Sequence, residues 1–123
     1  MLPLTEGATN LEFKPADSSA NPYLALGAVI HAGLDGIRRR LDPGDPVTVD
    51  PDTLSDADRS RAGIHRLPAT LPEALDALES DELLMEALGP LRRTAYLAVK
   101  RSEAAAFAAH DASYELFHHF RVF

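Results

Sequence analysis

One strand-like segment, followed by nothing but helical patterns, constrains this chain more than any other feature. Leu11-Glu12-Phe13-Lys14 alternates apolar and charged residues with the period of a half-buried strand, and Pro15 stops it. A lone strand cannot satisfy its own backbone donors and acceptors, and even a paired hairpin is marginal in water. Residues 11–14 therefore need a sheet that the remaining sequence does not supply. The expected fold class is mainly α: one or two N-terminal strands belonging to a larger α+β domain, then four to five helices.

The helical part is punctuated by local signals. Asn21-Pro22 places a capping residue before a proline at the first helical position, and Tyr23, Leu26, Ile30, Leu34, Ile37 and Leu41 recur at spacings of three and four. The spacing predicts a helix over 22–41. Ala25, Gly27, Ala28, Ala32, Gly33 and Gly36 lower its propensity but let other backbones approach, so packing on several sides is expected. An acidic loop spans 42–69. Thr70-Leu71-Pro72-Glu73 has capping-box spacing and opens a helix over 71–79; Ser80-Asp81-Glu82 opens another over 81–88, which Gly89-Pro90 ends. Further helices are expected over 91–109 and, capped by Asp111, over 112–120.

Composition narrows the function classes. The 123 residues make one globular unit, and the absence of cysteine excludes disulfide frameworks, thiolate nucleophiles and zinc ribbons. The net charge of −7 is concentrated in residues 41–89, which carry 12 acidic and 3 basic side chains. Only Arg38-Arg39-Arg40 and Arg92-Arg93 cluster, too few for a phosphate-binding face, so nucleic acid is not an expected partner. The longest apolar run, Tyr23 to Ile30, is far shorter than the roughly 18 residues of a spanning helix, and no basic-then-apolar leader opens the chain. The expected partners include no membrane, and the expected location is cytoplasmic.

Searches for chemistry leave a single pair. No phosphate loop, nucleophile elbow or H-E-x-x-H helix is present. His118 and His119 are adjacent and diverge by about 100° on a helix, which makes a poor chelating pair. His31 reads as a packed or hydrogen-bonded helix residue, and Ser18 and Ser19 as caps. Glu12 and Lys14, two apart on a strand, project to one face. A carboxylate beside an ammonium suits a site handling metal and phosphate, and equally suits a solvated ion pair.

A longer pattern resembles a known family. Leu11-Glu12-Phe13-Lys14, then Asp17-Ser18-Ser19-Ala20-Asn21-Pro22-Tyr23-Leu24-Ala25, then Ala32-Gly33-Leu34-Asp35-Gly36-Ile37, looks like the C-terminal part of the glutamine synthetase catalytic domain. The motif positions carrying the resemblance are Asp17, Ser19, Asn21, Pro22, Tyr23, Gly33, Asp35 and Gly36, and Leu71 to Leu78 resembles a later helix of that family. The resemblance implies an ATP-dependent amide ligase that joins a glutamate-like acid to ammonia or an amine through a γ-glutamyl phosphate, with Mg2+ or Mn2+ as cofactor. Glu12 matches a metal-ligating glutamate. Lys14 matches a substrate-binding position that is commonly arginine, and lysine there is similar to certain glutamine-synthetase-like branches. The family's other metal ligands and its nucleotide pocket lie upstream of this pattern, so the chain is expected to start inside a domain and to be inactive alone. The alternative is a non-catalytic remnant or interaction module that packs on a full-length relative. The aromatic C-terminus, Phe117 to Phe123, resembles a segment that clasps a neighbouring subunit, which implies a homo-oligomer through the C-terminal tail; the alternative is a tail that folds back on the chain's own helices.

Overall fold

The computed structural model describes residues 11–17 and 19–120. Among them the fold is mainly helical: α1 (Pro22–Arg39), a 3-10 turn (Pro51–Thr53), α2 (Asp56–Arg61), α3 (Leu71–Ser80), α4 (Glu82–Ala108) and α5 (Ala112–His119). The strand expected at 11–14 does not form among the described residues. Leu11 to Phe13 join no ladder, and Lys14 and Pro15 sit in a turn, as a strand without a pairing partner must leave its amides to water. Any strand before residue 11 lies outside the described residues.

Each helix begins where a short polar side chain can take up its first amides. The Asn21 side-chain oxygen accepts from the Tyr23 and Leu24 N–H groups at 3.0 and 3.2 Å, and Pro22 needs no partner at all. α1 ends at Arg39, not at 41: Arg40 takes left-handed geometry (φ 52°), and the Leu41 N–H reaches back to the Gly36 carbonyl at 2.9 Å. The acidic loop is shorter than expected, because Ser55 caps α2 by accepting from the Asp58 N–H at 3.2 Å while its hydroxyl donates to the Asp58 carboxylate at 2.6 Å. Acidic residues at the start of α2 and Arg59 and Arg61 at its end complement the helix dipole.

Thr70 and Glu73 cap α3, with the Glu73 N–H donating to the Thr70 hydroxyl oxygen at 3.3 Å and the Ala69 N–H donating to the Glu73 carboxylate at 2.9 Å. Asp81 closes α3 and opens α4: its N–H donates to the Leu78 carbonyl at 3.1 Å, and its carboxylate accepts from the Leu84 N–H at 2.9 Å. The two helices expected over 81–88 and 91–109 run on as one element broken by a kink at Gly89, whose φ of 72° suits glycine. Pro90 follows as the first residue of the second half.

α4 is the organising element, in contact with α1, α3 and α5. Leu75 on α3 and Leu97 on α4 are the buried hydrophobic residues of the described chain, at 2% and 8% exposure. Arg101 of α4 donates to Asp76 at 3.0 Å and also to Glu79, tying the last turns of α3 to α4. Those bonds, Asp76 first, raise the guanidinium pKa further above its ordinary value. The half-buried positions of α1 include Ala25, Gly27, Ala28, Val29, Asp35 and Gly36, whereas Tyr23, Leu26, Ile30, Leu34 and Ile37 are exposed. The chain exposes 10740 Å² in all, against about 6,500 Å² for a compact monomer of its 13.3 kDa. Among the described residues no helix is long and apolar enough to cross a membrane.

Leu75→Ala should cost about 2–3 kcal/mol and lower the urea midpoint, whereas Leu26→Ala on the exposed side should change stability by less than about 0.5 kcal/mol. Equal effects would show that the large side chains of α1 are packed. The Asp111 carboxylate, which caps α5, is held below the ordinary 3.8 by the Ser113 hydroxyl, then by the Tyr114 and Ser113 amides. A depressed folded value means that the cap's contribution is present above the ordinary aspartate value and is lost as pH falls through the depressed one. Carboxyl NMR of Asp111 should give a midpoint below 3.8, with α5 amide protection falling in the same window; a midpoint at or above that value contradicts this.

Candidate functional site

The expected pair is brought together. Lys14 sits at the start of the turn at 14–15, and its ammonium lies 3.2 Å from the Glu12 carboxylate two residues before it. Both are well exposed, at 67% for Glu12 and 84% for Lys14, so in isolation the pair contributes little to stability. Leu11 and Phe13, the alternating apolar residues, are exposed as well.

A tight reversal connects this pair to α1. The Asp17 carboxylate accepts from both the N–H and the hydroxyl of Ser19 at 2.7 Å, and the Asp17 carbonyl accepts from the Ala20 N–H at 3.0 Å. Asn21 then caps the helix, so Asp17, Ser19, Asn21 and Pro22 act together as a turn and a helix start. Tyr23 points into solvent at 87% exposure. Gly33, Asp35 and Gly36 lie about three turns further along α1 and do not join the pair. Open space surrounds the position a side chain would take at Gly33 and at Gly36, and Asp35 pairs with Arg39 at 3.1 Å.

Among the described residues no group of three or more His, Asp or Glu side chains is arranged to hold a metal ion. Glu12 therefore offers one hard oxygen ligand and not a complete set. The helix histidines bond backward: Nδ1 of His31, His110 and His118 lies 2.8, 2.7 and 3.1 Å from the carbonyl four residues earlier. A carbonyl only accepts, so each Nδ1 carries the proton.

Sequence reasoning did not anticipate the ring stack at the α4–α5 junction. Tyr114 is sandwiched between His110, at a centroid distance of 3.9 Å, and His118, at 4.0 Å, with Phe107 edge-on at 6.3 Å. The i, i+4, i+8 spacing of 110, 114 and 118 was the signal available. His110 and Tyr114 border an open groove of about 630 Å³ that Asp111, Ser113 and Phe117 also line. Phe117 and Phe120 are exposed at 58% and 84%; residues 121–123 lie outside the described chain.

Comparison with known proteins gives this geometry its context. A family profile described as glutamine synthetase, catalytic domain, matches residues 3–119. A gamma-glutamylpolyamine synthetase of Streptomyces coelicolor is 46% identical over 101 residues, which is 82% of this chain and 22% of that protein. A glutamine synthetase of Archaeoglobus fulgidus is 38% identical over 115 residues, 94% of this chain and 23% of that protein. A glutamate–methylamine ligase of Methyloversatilis universalis is 42% identical over 106 residues, 86% of this chain and 24% of that protein. The chain thus spans less than a quarter of the length of these relatives. With the Glu12–Lys14 pair, the Asp17-to-Tyr23 turn and nearly the whole length within the match, the chain belongs to the glutamine synthetase catalytic-domain family.

Proposed function

We propose that this chain is the C-terminal portion of an ATP-dependent ligase that joins glutamate, or a closely similar acid, to ammonia or an amine through a γ-glutamyl phosphate. The observation supporting this reading is the Glu12–Lys14 pair, 3.2 Å apart and open to solvent, in a chain of this family. The polyamine and methylamine named for two relatives put amines beside ammonia as candidate acceptors.

The cofactors of the complete enzyme are ATP with Mg2+ or Mn2+, and a bound ion would neutralise phosphate charge during transfer. The described residues do not fit such an ion by themselves, since Glu12 is a single carboxylate already paired with Lys14. This chain's own contributions are two. Glu12 would offer one oxygen ligand, with the rest of any ion's ligands coming from outside the described residues. Lys14 presents a compact, mobile cation that draws in a substrate carboxylate without the fixed fork of an arginine, which loosens selection among acids. The exposed Phe117 and Phe120 support a C-terminal clasp between subunits, and the cytoplasm is the compartment of such an enzyme.

A second reading, a non-catalytic module that packs on a full-length relative, draws support from the exposed large side chains of α1. Activity separates the two. The purified chain with ATP, Mg2+, glutamate and methylamine should release no phosphate above background. A chimera in which this chain replaces the matched stretch of the Archaeoglobus fulgidus enzyme should form amide. In it, Glu12→Gln should lower kcat on the order of a hundredfold or more, and Lys14→Ala should mainly raise KM for the acid. Turnover by the chain alone, or an active chimera indifferent to Glu12→Gln, would overturn the proposal.

A further inference from the structure

Six residues separate Lys14 from Asn21, the cap of α1. A flexible coil of that length would let its ends range over about 13 Å, but this link is braced. Lys14 and Pro15 sit in a turn, and Pro15 and Pro22 have φ fixed by their rings. Asp17 takes three bonds: its carboxylate Oδ1 accepts from both the N–H and the hydroxyl of Ser19 at 2.7 Å, and its carbonyl accepts from the Ala20 N–H at 3.0 Å. The Asn21 side chain then takes up the first amides of α1.

Lysine makes that bracing matter. Its ammonium is a point charge on a flexible stem, with no planar fork to impose an orientation on a carboxylate. The place of the charge therefore depends on the place of the main chain at Lys14. The ion pair with Glu12 does not fix it, since both side chains are exposed and belong to the same short segment. The bonds at Asp17 lie in the middle of the link, between Lys14 and the helical body.

We propose that Asp17 is a positioning residue for the acid substrate: by closing the turn at 17–20, its carboxylate sets the place of the Lys14 ammonium relative to the start of α1. The inference rests on the reading of Lys14 under Proposed function and adds a residue to it. What Asp17 supplies is an acceptor at Oδ1 and not a negative charge, so asparagine, which keeps that oxygen, replaces it and alanine does not. The effect falls on binding of the acid, because Lys14 is the group the turn places. A misplacement of about 1 Å can cost on the order of a hundredfold.

Backbone amide NMR relaxation on the isolated chain and kinetics of the Archaeoglobus fulgidus chimera test it together. In the isolated chain, residues 14–20 should be nearly as ordered as α1 and more ordered than the exposed loop at 42–50. Asp17→Ala should bring 14–20 to the level of that loop, and Asp17→Asn should not. In the chimera, Asp17→Ala should raise KM for the acid about tenfold while kcat and KM for the amine stay within about twofold. Asp17→Asn should restore the acid KM. With Lys14→Ala already present, Asp17→Ala should add nothing, because both changes act on one charge. A native segment as mobile as the loop would overturn the proposal, as would Asp17→Ala and Asp17→Asn variants that behave alike. Equal losses in kcat and in every KM, or full additivity with Lys14→Ala, would assign Asp17 to general folding and also overturn it. An acid KM unmoved by Lys14→Ala would remove the reading of Lys14 on which the proposal rests; one moved by Lys14→Ala and not by Asp17→Ala would remove the proposal alone.

Discussion

The contact between α3 and α4 is the constraint on which the rest of this structure depends. Leu75 and Leu97 are buried there, and the Arg101 bridge to Asp76 and Glu79 holds the same two helices at their exposed edge. Fully burying a leucine contributes about 1.5–3 kcal/mol, while ordering each residue of backbone costs about 1–2 kcal/mol. Two such residues cannot by themselves order more than a hundred. The outlying elements are held mainly by their own hydrogen bonds, caps and short-range ion pairs, and their apolar faces remain in water.

That division explains what the sequence did and did not disclose. The starts of α1, α3 and α5 followed from Asn21, Thr70 and Asp111, because a cap is an interaction over two or three residues and is written in adjacent letters, whereas α4 was expected from 81 and begins at Glu82 with Asp81 as its cap. Gly89-Pro90 was read as a helix end, and the structure makes it a kink within one element. The strand at 11–14 was read from its alternation, yet pairing is a non-local interaction, and alternation states a need for partners without providing them. The C-terminus of α1 was placed late because Leu41 continued the apolar spacing past the left-handed turn at Arg40. α2 was missed because a helix of six residues buries nothing and leaves no periodic stripe.

The candidate site divides along the same line. Glu12 and Lys14 were paired on the expectation of a strand; the structure places them 3.2 Å apart without one, with Lys14 in a turn. A metal site, however, gathers carboxylates from distant parts of a chain, and no run of neighbouring residues can show the whole set. Hydrogen bonds that Asp17 accepts from Ser19 and Ala20, and the Asn21 cap, join the Glu12–Lys14 pair to α1, whose large apolar side chains are exposed. The chain belongs to the glutamine synthetase catalytic-domain family, and the large apolar side chains of α1 are exposed.

Amide hydrogen exchange on the isolated chain tests this account most directly. Protection should be greatest in α3 and in α4 around Leu75 and Leu97, and lower in α1, which packs on α4 only through small side chains while its large apolar ones are exposed. Protection of α1 equal to that of α4, in a chain shown to be monomeric, would mean that those large side chains are covered within the chain and would contradict it.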